Sequence, residues 1–232
     1  MKVLLFASPH HEARDVAVAR GLLQRAGVVL TDARPDVVVS YGGDGTFMQA
    51  EYAYPGVPKL LLKKSRICKL CSPVSNKDVI ARFLKKQYRV ESLMKIEAHA
   101  KGKKLLGMND IIVHNQDPRH AIRYEVLIDE KPMGKEIIGD GIVAATPLGS
   151  TGYYRSITDS FFEVGMGLAF NNSTEQADHM VLHDSARIVI HIVRGPAIVY
   201  ADNQPESVVL EAGDDVVLRI SKQKAKIIRF EK

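Results

Sequence analysis

The spacing of apolar residues changes about ninety residues into this chain, and this change constrains the fold more than any other feature. Before Val90, short β-branched runs alternate with stretches of helical spacing, which is typical of β-α-β units and a parallel sheet. After Val90, β-type runs follow one another and are separated by turn residues. We therefore predict an α/β domain with a parallel sheet at 1–90 and a mainly antiparallel, β-rich domain at 91–232.

The same patterns bound the individual elements. In the first domain the predicted strands are Lys2–Ala7, Val28–Leu30, Asp36–Ser40 and Val57–Leu62, and the predicted helices are Glu12–Ala26, Thr46–Ala53 and Asn76–Gln87, the last with Asn76 as its cap. In the second domain the predicted strands are Leu93–Ala98, Leu105–His114, Arg123–Ile128, Ile137–Ala145, Arg187–Val193, Ala197–Ala201, Val208–Leu210, Val216–Ile220 and Ala225–Phe230, with helical character at Ser156–Asn171. Because no Ser/Gly-rich linker separates the halves, we expect them to pack together around a cleft.

The composition excludes several classes of protein. A formal net charge of +5 favours small anionic ligands, but no long basic run with interleaved aromatic residues indicates a nucleic-acid-binding module. The opening apolar run is too short for a signal peptide and no run approaches the ~18 apolar residues of a membrane span, so we expect a cytoplasmic protein without a membrane partner. The C-x-x-C spacing of Cys68 and Cys71 leaves two interpretations open, idle thiols or a disulfide or redox pair.

The strongest local motif is Gly42-Gly43-Asp44-Gly45-Thr46, which lies between an apolar run and a predicted helix. Its glycines would let the backbone approach a phosphate, and the N–H groups of the following helix favour negative charge. A carboxylate repels phosphate, so Asp44 indicates either proton removal or help in holding a metal. The alternative is a tight turn in which Asp44 only binds backbone. The motif is neither a Walker A loop nor a G-x-G-x-x-G dinucleotide motif.

Two further segments have the chemistry of a nucleotide site. Asn109-Asp110 begins an apolar run, and an amide beside a carboxylate can bind adenosine edges and ribose hydroxyls, although such a pair is also common in plain turns. The segment from Gly139 to Tyr154 runs from a strand into a loop rich in glycine and hydroxyl groups and ends in two tyrosines. Its exposed N–H groups, hydroxyls and aromatic faces suit a sugar-phosphate ligand.

Taken in order, the three segments resemble the NAD kinase family. Gly42–Thr46 resembles the GGDGT motif that NAD kinases share with diacylglycerol and sphingosine kinases, Asn109-Asp110 resembles the Asn-Glu motif, and Asp140–Tyr153 resembles the DGLI-x-x-TPTGSTAY stretch. The resemblance runs from Lys2 to about Phe230 and implies an α/β domain, a β-sandwich-like domain and NAD bound between them. It also implies a homodimer or homotetramer.

The resemblance assigns roles to residues of this chain. Asp44 would be the general base at the 2′-hydroxyl of the adenosine ribose, with Gly45 as a neighbouring contact. The other residues expected to bind NAD are Asn109, Asp110, Asp140, Thr151, Gly152, Tyr153, Ser156 and Gln204. The residues expected to bind the phosphate donor are Gly42, Gly43, Thr46, Lys63, Lys64 and Arg66, the basic ones because they follow a predicted strand at the same edge of the sheet.

The expected reaction is phosphorylation of NAD to NADP by ATP, inorganic polyphosphate or another nucleoside triphosphate. A divalent cation, Mg²⁺, would come with the donor phosphates, and no resident metal site is predicted. Asp110 replaces the family's Glu, Gly152 replaces its Ala, and the segment Lys63–Cys71 replaces its Asn-x-Gly-x-Leu-Gly-Phe. Two alternatives therefore stay open, a non-catalytic sensor of NAD(P) and a lipid or metabolite kinase that shares the glycine motif.

Overall fold

The computed structural model describes residues 1–174 and 178–230, which form two compact units. The first unit contains Met1–Leu93 together with the C-terminal segment from Lys224, and the second contains Met94–Gln223. Among the described residues, none of the helices has the length and apolar character needed to cross a membrane.

The first unit is built on a five-stranded sheet with helices on both faces. Its strands are β1 (Val3–Ala7), β2 (Val37–Gly42), β3 (Lys59–Lys63), β4 (Arg89–Leu93) and β18 (Ala225–Arg229), and its helices are α1 (Ala13–Arg25), α2 (Asp44–Ala53) and α3 (Asn76–Leu84). The strand order is β1-β2-β3-β18-β4, in which only β4 runs antiparallel to its neighbour.

Burial on both faces explains the continuous apolar run of the interior strand β2. Val37 and Val39 pack with α1 and α3 on one face, while Val38 packs with Ala50 of α2 on the other. Parallel sheets covered on both faces have such unbroken runs of β-branched residues. The carboxyl ends of β2 and β3 consequently lie side by side, with Gly42 paired to Lys63.

The second unit is a sandwich of two antiparallel sheets. Its strands are β5 (Ile96–Ala100), β6 (Lys103–Gly107), β7 (Asp110–Asn115), β8 (Ile122–Ile128), β9 (Lys131–Pro132), β10 (Ile137–Gly139), β11 (Gly141–Ala145), β12 (Met166–Asn171), β13 (His179–Leu182), β14 (Ile188–Arg194), β15 (Ala197–Ala201), β16 (Ser207–Leu210) and β17 (Asp215–Ile220). One sheet has the order β10-β8-β14-β17-β5-β6 with β9 paired to β8, and the other has the order β13-β12-β11-β7-β15-β16.

Alternating residues of these strands separate the core of the sandwich from its outer surface. Ile111 and Val113 of β7 belong to the apolar cluster shared by the two sheets. Ile112, between them, faces the other way and packs with Tyr154 of the short helix α4 (Tyr153–Thr158), which follows a 3₁₀ turn at Gly149–Thr151. This period of two is what places the tyrosine-bearing helix on the outer face of the β7 sheet.

The predicted fold class is confirmed, but one strand joins a different sheet. Ala225–Phe230 was predicted in the β-rich domain, whereas β18 pairs with β3 and β4 in the first sheet. The first unit therefore combines both ends of the chain, unlike the predicted ranges 1–90 and 91–232. The predicted strand Val28–Leu30 is reduced to a single bridge between Leu30 and Val3.

Other predicted segments also differ in detail. The predicted run Leu105–His114 is two strands, β6 and β7, because the chain turns at Met108-Asn109. Only Tyr153–Thr158 is helical near Ser156–Asn171, which otherwise contains strand β12. Helix α3 is capped by Ser75, whose hydroxyl accepts the N–H of Asp78, rather than by Asn76.

Candidate active site

The glycine motif forms the tight turn between β2 and α2, and close contacts explain both of its first glycines. A Cβ on Gly42 would overlap the side chain of Thr46, and a Cβ on Gly43 would lie 3.0 Å from Cβ of Ser65 and 3.2 Å from the carbonyl oxygen of Ile67. Gly43 is the N-cap of α2, so the N–H groups of the first helical turn begin at this point. The turn thus needs glycine because its own chain packs closely against it, and it leads directly into the first turn of α2.

Asp44 is the first residue of α2, and its carboxylate is held by the chain segment that follows β3. Oδ2 accepts the N–H of Lys69 at 2.8 Å and Oδ1 accepts the N–H of Leu70 at 3.0 Å. Cys68 Sγ lies 3.3 Å from Oδ1, but it forms a disulfide with Cys71 and so has no proton to donate. The two amides fix the plane of the carboxylate and leave a lone pair on each oxygen.

The disulfide settles one of the two open interpretations of the cysteines. Cys68 and Cys71 are bonded to each other, so the idle-thiol interpretation was wrong for this structure. The ring that this bond closes lies directly against Asp44, a contact that the C-x-x-C spacing alone gave no means of predicting.

The basic segment lies at the predicted edge of the sheet. The N–H groups of Lys64 and Ser65 donate to the carbonyl of Gly42 at 2.9 and 3.3 Å, which ties the segment to the glycine turn. Lys63, Lys64 and Arg66 are all exposed. Lys64 forms an ion pair with Asp15 of α1 at 2.9 Å, and this hydrogen bond raises the pKa of the ammonium group above its usual 10.5. Lys64 is therefore already paired with a carboxylate of the protein. Its predicted role with phosphate does not require this partner.

In the second unit, Asp202 organises the Asn109-Asp110 segment. Its Oδ1 accepts the N–H of Asn109 at 2.8 Å and of Asp110 at 3.2 Å, and its Oδ2 accepts the N–H of Met108 at 2.8 Å. In return, the N–H of Asp202 donates to the carbonyl of Asp110 at 3.1 Å. One carboxylate thereby holds three consecutive amides and sets the direction of the chain as it enters β7.

Asp110 is buried next to this second carboxylate, with only 6% of its surface exposed. Burial raises the pKa of Asp110 to about 7, and the charge of Asp202 adds to the effect. Burial also raises the pKa of Asp202, although its backbone donors and Lys95 oppose the rise. Burial therefore favours the protonated form of both carboxyls.

The loop after β11 packs against the same segment. The N–H of Thr146 donates to the carbonyl of Asn109 at 2.8 Å, and its hydroxyl donates to the carbonyl of Met108 at 2.6 Å. A Cβ on Gly149 would overlap the backbone of Asn109, so only glycine permits this contact. Gln204 lies nearby and donates from Nε2 to the carbonyl of Leu106 at 2.6 Å.

Asp140 and Tyr153 also lie in this region. Asp140 lies between β10 and β11 and accepts hydrogen bonds from Asn115 at 3.2 Å and Asn172 at 3.0 Å. The hydroxyl of Tyr153 accepts the Nδ2 group of Asn171 at 3.1 Å. Burial raises the pKa of Tyr153, and the charges of Asp140 and Asp110 add to this effect.

The remaining predicted residues lie around the same turn. Thr151 ends the 3₁₀ turn, exposed Gly152 joins it to α4, and Ser156 lies on α4 with its hydroxyl donating to the carbonyl of Tyr153 at 2.7 Å. Gly45 lies in the first turn of α2 beside Asp44. The structure thus collects the predicted residues into two clusters, one in each unit.

Sequence reasoning missed several groups that complete these clusters. Tyr200 of β15 is half-buried, and burial, Tyr153 and Asp110 raise its pKa. Asp202, two residues before the predicted contact Gln204, is the other such group. The single usable signal for both was their position at the end of the predicted strand Ala197–Ala201.

Histidines do not form a metal site in the described part of the chain. His179 lies on β13, so its spacing of four from His183 does not place the two rings on one helix face. Within 1–174 and 178–230, no group of three or more His, Cys, Asp or Glu side chains is placed to hold a metal ion.

Comparison with known proteins agrees with this architecture. Residues 108–230 match the family model described as the ATP-NAD kinase C-terminal domain. The chain is 27% identical to an NAD kinase from Saccharolobus solfataricus, with 100% of this chain and 95% of that protein covered, and 25% identical to one from Sulfurisphaera tokodaii, with 99% and 96% covered.

Two solved structures show a similar fold. An NAD kinase from Archaeoglobus fulgidus in complex with ATP has a TM-score of 0.81 at 22% identity, covering 100% of this chain and 95% of that one. A yeast NADH kinase complexed with NADH has a TM-score of 0.86 at 18% identity, covering 100% and 84%. The fold is thus the one found in NAD kinases. Because the family model spans more than half of the sequence, the chain belongs to the NAD kinase family.

Proposed function

We propose that this chain transfers the terminal phosphoryl group of ATP or inorganic polyphosphate to the 2′-hydroxyl of the adenosine ribose of NAD, giving NADP. Family membership supports the reaction, and the geometry of Asp44 carries the assignment of the base. Its carboxylate is held by two amides at 2.8 and 3.0 Å, in a half-buried position at the start of α2.

Asp44 would act as the general base. Each of its oxygens has a lone pair that the amides do not use, and that lone pair can accept the 2′ proton as the ribose oxygen attacks phosphorus. Because its plane is already fixed, the carboxylate loses little conformational freedom when the ribose hydroxyl binds. Less binding free energy is then needed to orient the base.

The glycine turn would bind the donor phosphates. Gly42 and Gly43 form the turn that leads into α2, and the N–H groups of Gly45 and Thr46 belong to the first turn of this helix, where anions are favoured. Exposed Lys63, Lys64 and Arg66 lie at the same sheet edge and would neutralise further phosphate charge. Mg²⁺ would arrive with the donor phosphates.

The second unit would bind the adenosine part of NAD. Protonated Asp110 can donate a hydrogen bond and ionised Asp110 can accept one, so this residue suits a ribose hydroxyl. Asn109 is oriented by Asp202 and by Thr146. The other predicted contacts to NAD are Asp140, Thr151, Gly152, Tyr153, Ser156 and Gln204.

The proposal also covers location and assembly. We place the enzyme in the cytoplasm and expect a homodimer or homotetramer. The outer strand β13 supports assembly, because it exposes 46% of Val181 at an edge of its sheet, where a second strand can pair.

The experiment is an assay of NADP formation from NAD with Mg²⁺ and either ATP or polyphosphate. An NADP-specific dehydrogenase detects the product, and NAD lacking the 2′-hydroxyl is the control acceptor that should give none. NADP formed with at least one donor supports the proposal. Binding of NAD by calorimetry without turnover on any donor would instead identify a sensor, and phosphorylation of diacylglycerol would identify a lipid kinase.

A further inference from the structure

The disulfide ring encloses the two residues that hold Asp44. Cys68 and Cys71 are the only cysteines of the sequence, and the residues between them are Lys69 and Leu70, whose N–H groups bind the carboxylate of Asp44. We infer that the Cys68–Cys71 disulfide is a positioning device for the catalytic carboxylate, and that its reduction by a dithiol lowers the turnover of the enzyme. The inference rests on the proposed role of Asp44.

The geometry requires a defined backbone in the ring. Two consecutive N–H groups reach the two different oxygens of one carboxylate at 2.8 and 3.0 Å, so both must point to the same side of the chain. The carbonyl of Leu70 points to Arg229 of β18, whose Nη1 donates to it at 2.6 Å. The ring is therefore fixed between Asp44 and the sheet.

The segment before the ring provides little packing of its own. Residues 63–67 are all exposed, whereas Leu70 is buried. Few apolar contacts therefore hold the segment that leads into the ring. The covalent closure of the ring does much to limit the conformations of the backbone that carries the two amides. Without the cross-link, the ring backbone would have more conformations, and holding both amides in place would cost conformational entropy.

Reduction has a second effect at the carboxylate. A dithiol supplies two electrons and two protons, the S–S bond breaks, Cys68 and Cys71 become thiols, and the dithiol becomes a disulfide. Cys68 Sγ already lies 3.3 Å from Oδ1 of Asp44. As a thiol it gains a proton that can be donated to this oxygen, and it then competes for the lone pair that a ribose hydroxyl would need. Cys68 and Cys71 are both only partly buried, so we expect a dithiol to reach the bond.

The test compares the oxidised and the dithiothreitol-reduced enzyme. We expect kcat to fall by about tenfold to a hundredfold, because small displacements of a reacting group cost up to on the order of 10²-fold. The KM for NAD should change less than about twofold, since the ring makes no contact assigned to NAD. Thiol titration should give two thiols per chain after reduction, and reoxidation should restore the rate.

Two variants separate positioning from general stability. The Cys68→Ser/Cys71→Ser double variant should have the low kcat of the reduced enzyme and no response to dithiothreitol. In Asp44→Asn, measured with enzyme in excess over NAD, reduction should leave the residual rate unchanged, because the carboxylate that the ring positions is gone.

The outcomes are distinct. Equal NADP formation by the oxidised and reduced enzyme would overturn the inference and leave the proposed function standing. An equal loss of rate on reduction in Asp44→Asn would overturn it as well, because the ring would then act on something other than Asp44. No NADP in either redox state would overturn the proposed function and, with it, this inference.

Discussion

Replacement of Asp110 by Asn removes a buried carboxyl with a strongly raised pKa and should change how stability depends on pH. In the folded chain, burial and the charge of Asp202 raise the pKa of Asp110 from its usual 3.8 to about 7. Between these two values the unfolded chain ionises at this position and the folded chain does not. The wild type therefore loses stability as pH rises through this range, and the loss levels off above pH ~7.

The size of the effect follows from the same pKa values. A carboxyl whose pKa rises from 3.8 to about 7 on folding opposes folding by roughly 4 kcal/mol once it is ionised in both states. Asn has nearly the same shape and does not titrate. We expect Asp110→Asn to approach or exceed wild-type stability above pH 7 and to gain nothing at pH 4.

Urea unfolding at pH 4, 5, 6, 7 and 8 measures this difference. The free energy of unfolding of Asp110→Asn minus that of the wild type should increase with pH, with unchanged m-values. Glu125→Gln is the matched control, because it removes an exposed carboxyl from the same unit. A difference that stays constant across the pH series would refute the argument that Asp110 is held protonated by burial.

Three further predictions address the donor site, the core and the assembly. Neutralising Lys63, Lys64 and Arg66 together should raise the KM for ATP or polyphosphate and weaken its salt dependence while NAD affinity stays unchanged, and unchanged donor kinetics would leave these residues as plain surface. Glu51→Ala leaves the buried Lys59 ammonium without its carboxylate and should cost about 3–5 kcal/mol in urea unfolding, where a loss below about 1 kcal/mol would contradict the importance of this pair. Light scattering should give the mass of a dimer or tetramer, and the mass of a single chain at micromolar concentration would contradict assembly.

Local patterns were enough to predict much of the fold. The apolar run Val37–Val39 indicated a strand of a parallel sheet, and the structure has it in the first sheet as β2, with apolar packing on both faces. The motif Gly42–Thr46 indicated a strand-to-helix turn, which is where it lies. Both succeed because the spacing of apolar residues and the steric demands of glycine act over a few neighbouring residues.

Pairing between distant segments could not be predicted in this way. Nothing in Ala225–Phe230 distinguishes a strand of the sandwich from one that pairs with β3 of the first sheet. Nor does the sequence show that Asp202 holds amides more than ninety residues earlier in the chain. Such contacts are decided by tertiary packing, which leaves no periodic signal in either partner.

The local setting of Asp44 was only half predictable. Its place before a helix was read from the motif, and a carboxylate in a phosphate-type loop suggested chemistry. Its hydrogen bonds to Lys69 and Leu70 depend on how the segment Lys63–Cys71 folds back after β3. The disulfide at the end of this segment was only one of two open interpretations of the cysteines.

The central claim is that Asp44 removes the proton from the 2′-hydroxyl of NAD. Asp44→Asn keeps the shape of the side chain and loses its basicity, so we expect kcat for NADP formation to fall by about 10²–10⁴-fold. Calorimetry on the same variant should show that NAD still binds with nearly wild-type affinity. An Asp44→Asn enzyme that kept more than about half of the wild-type turnover would contradict the claim, since loss of a general base is far more costly.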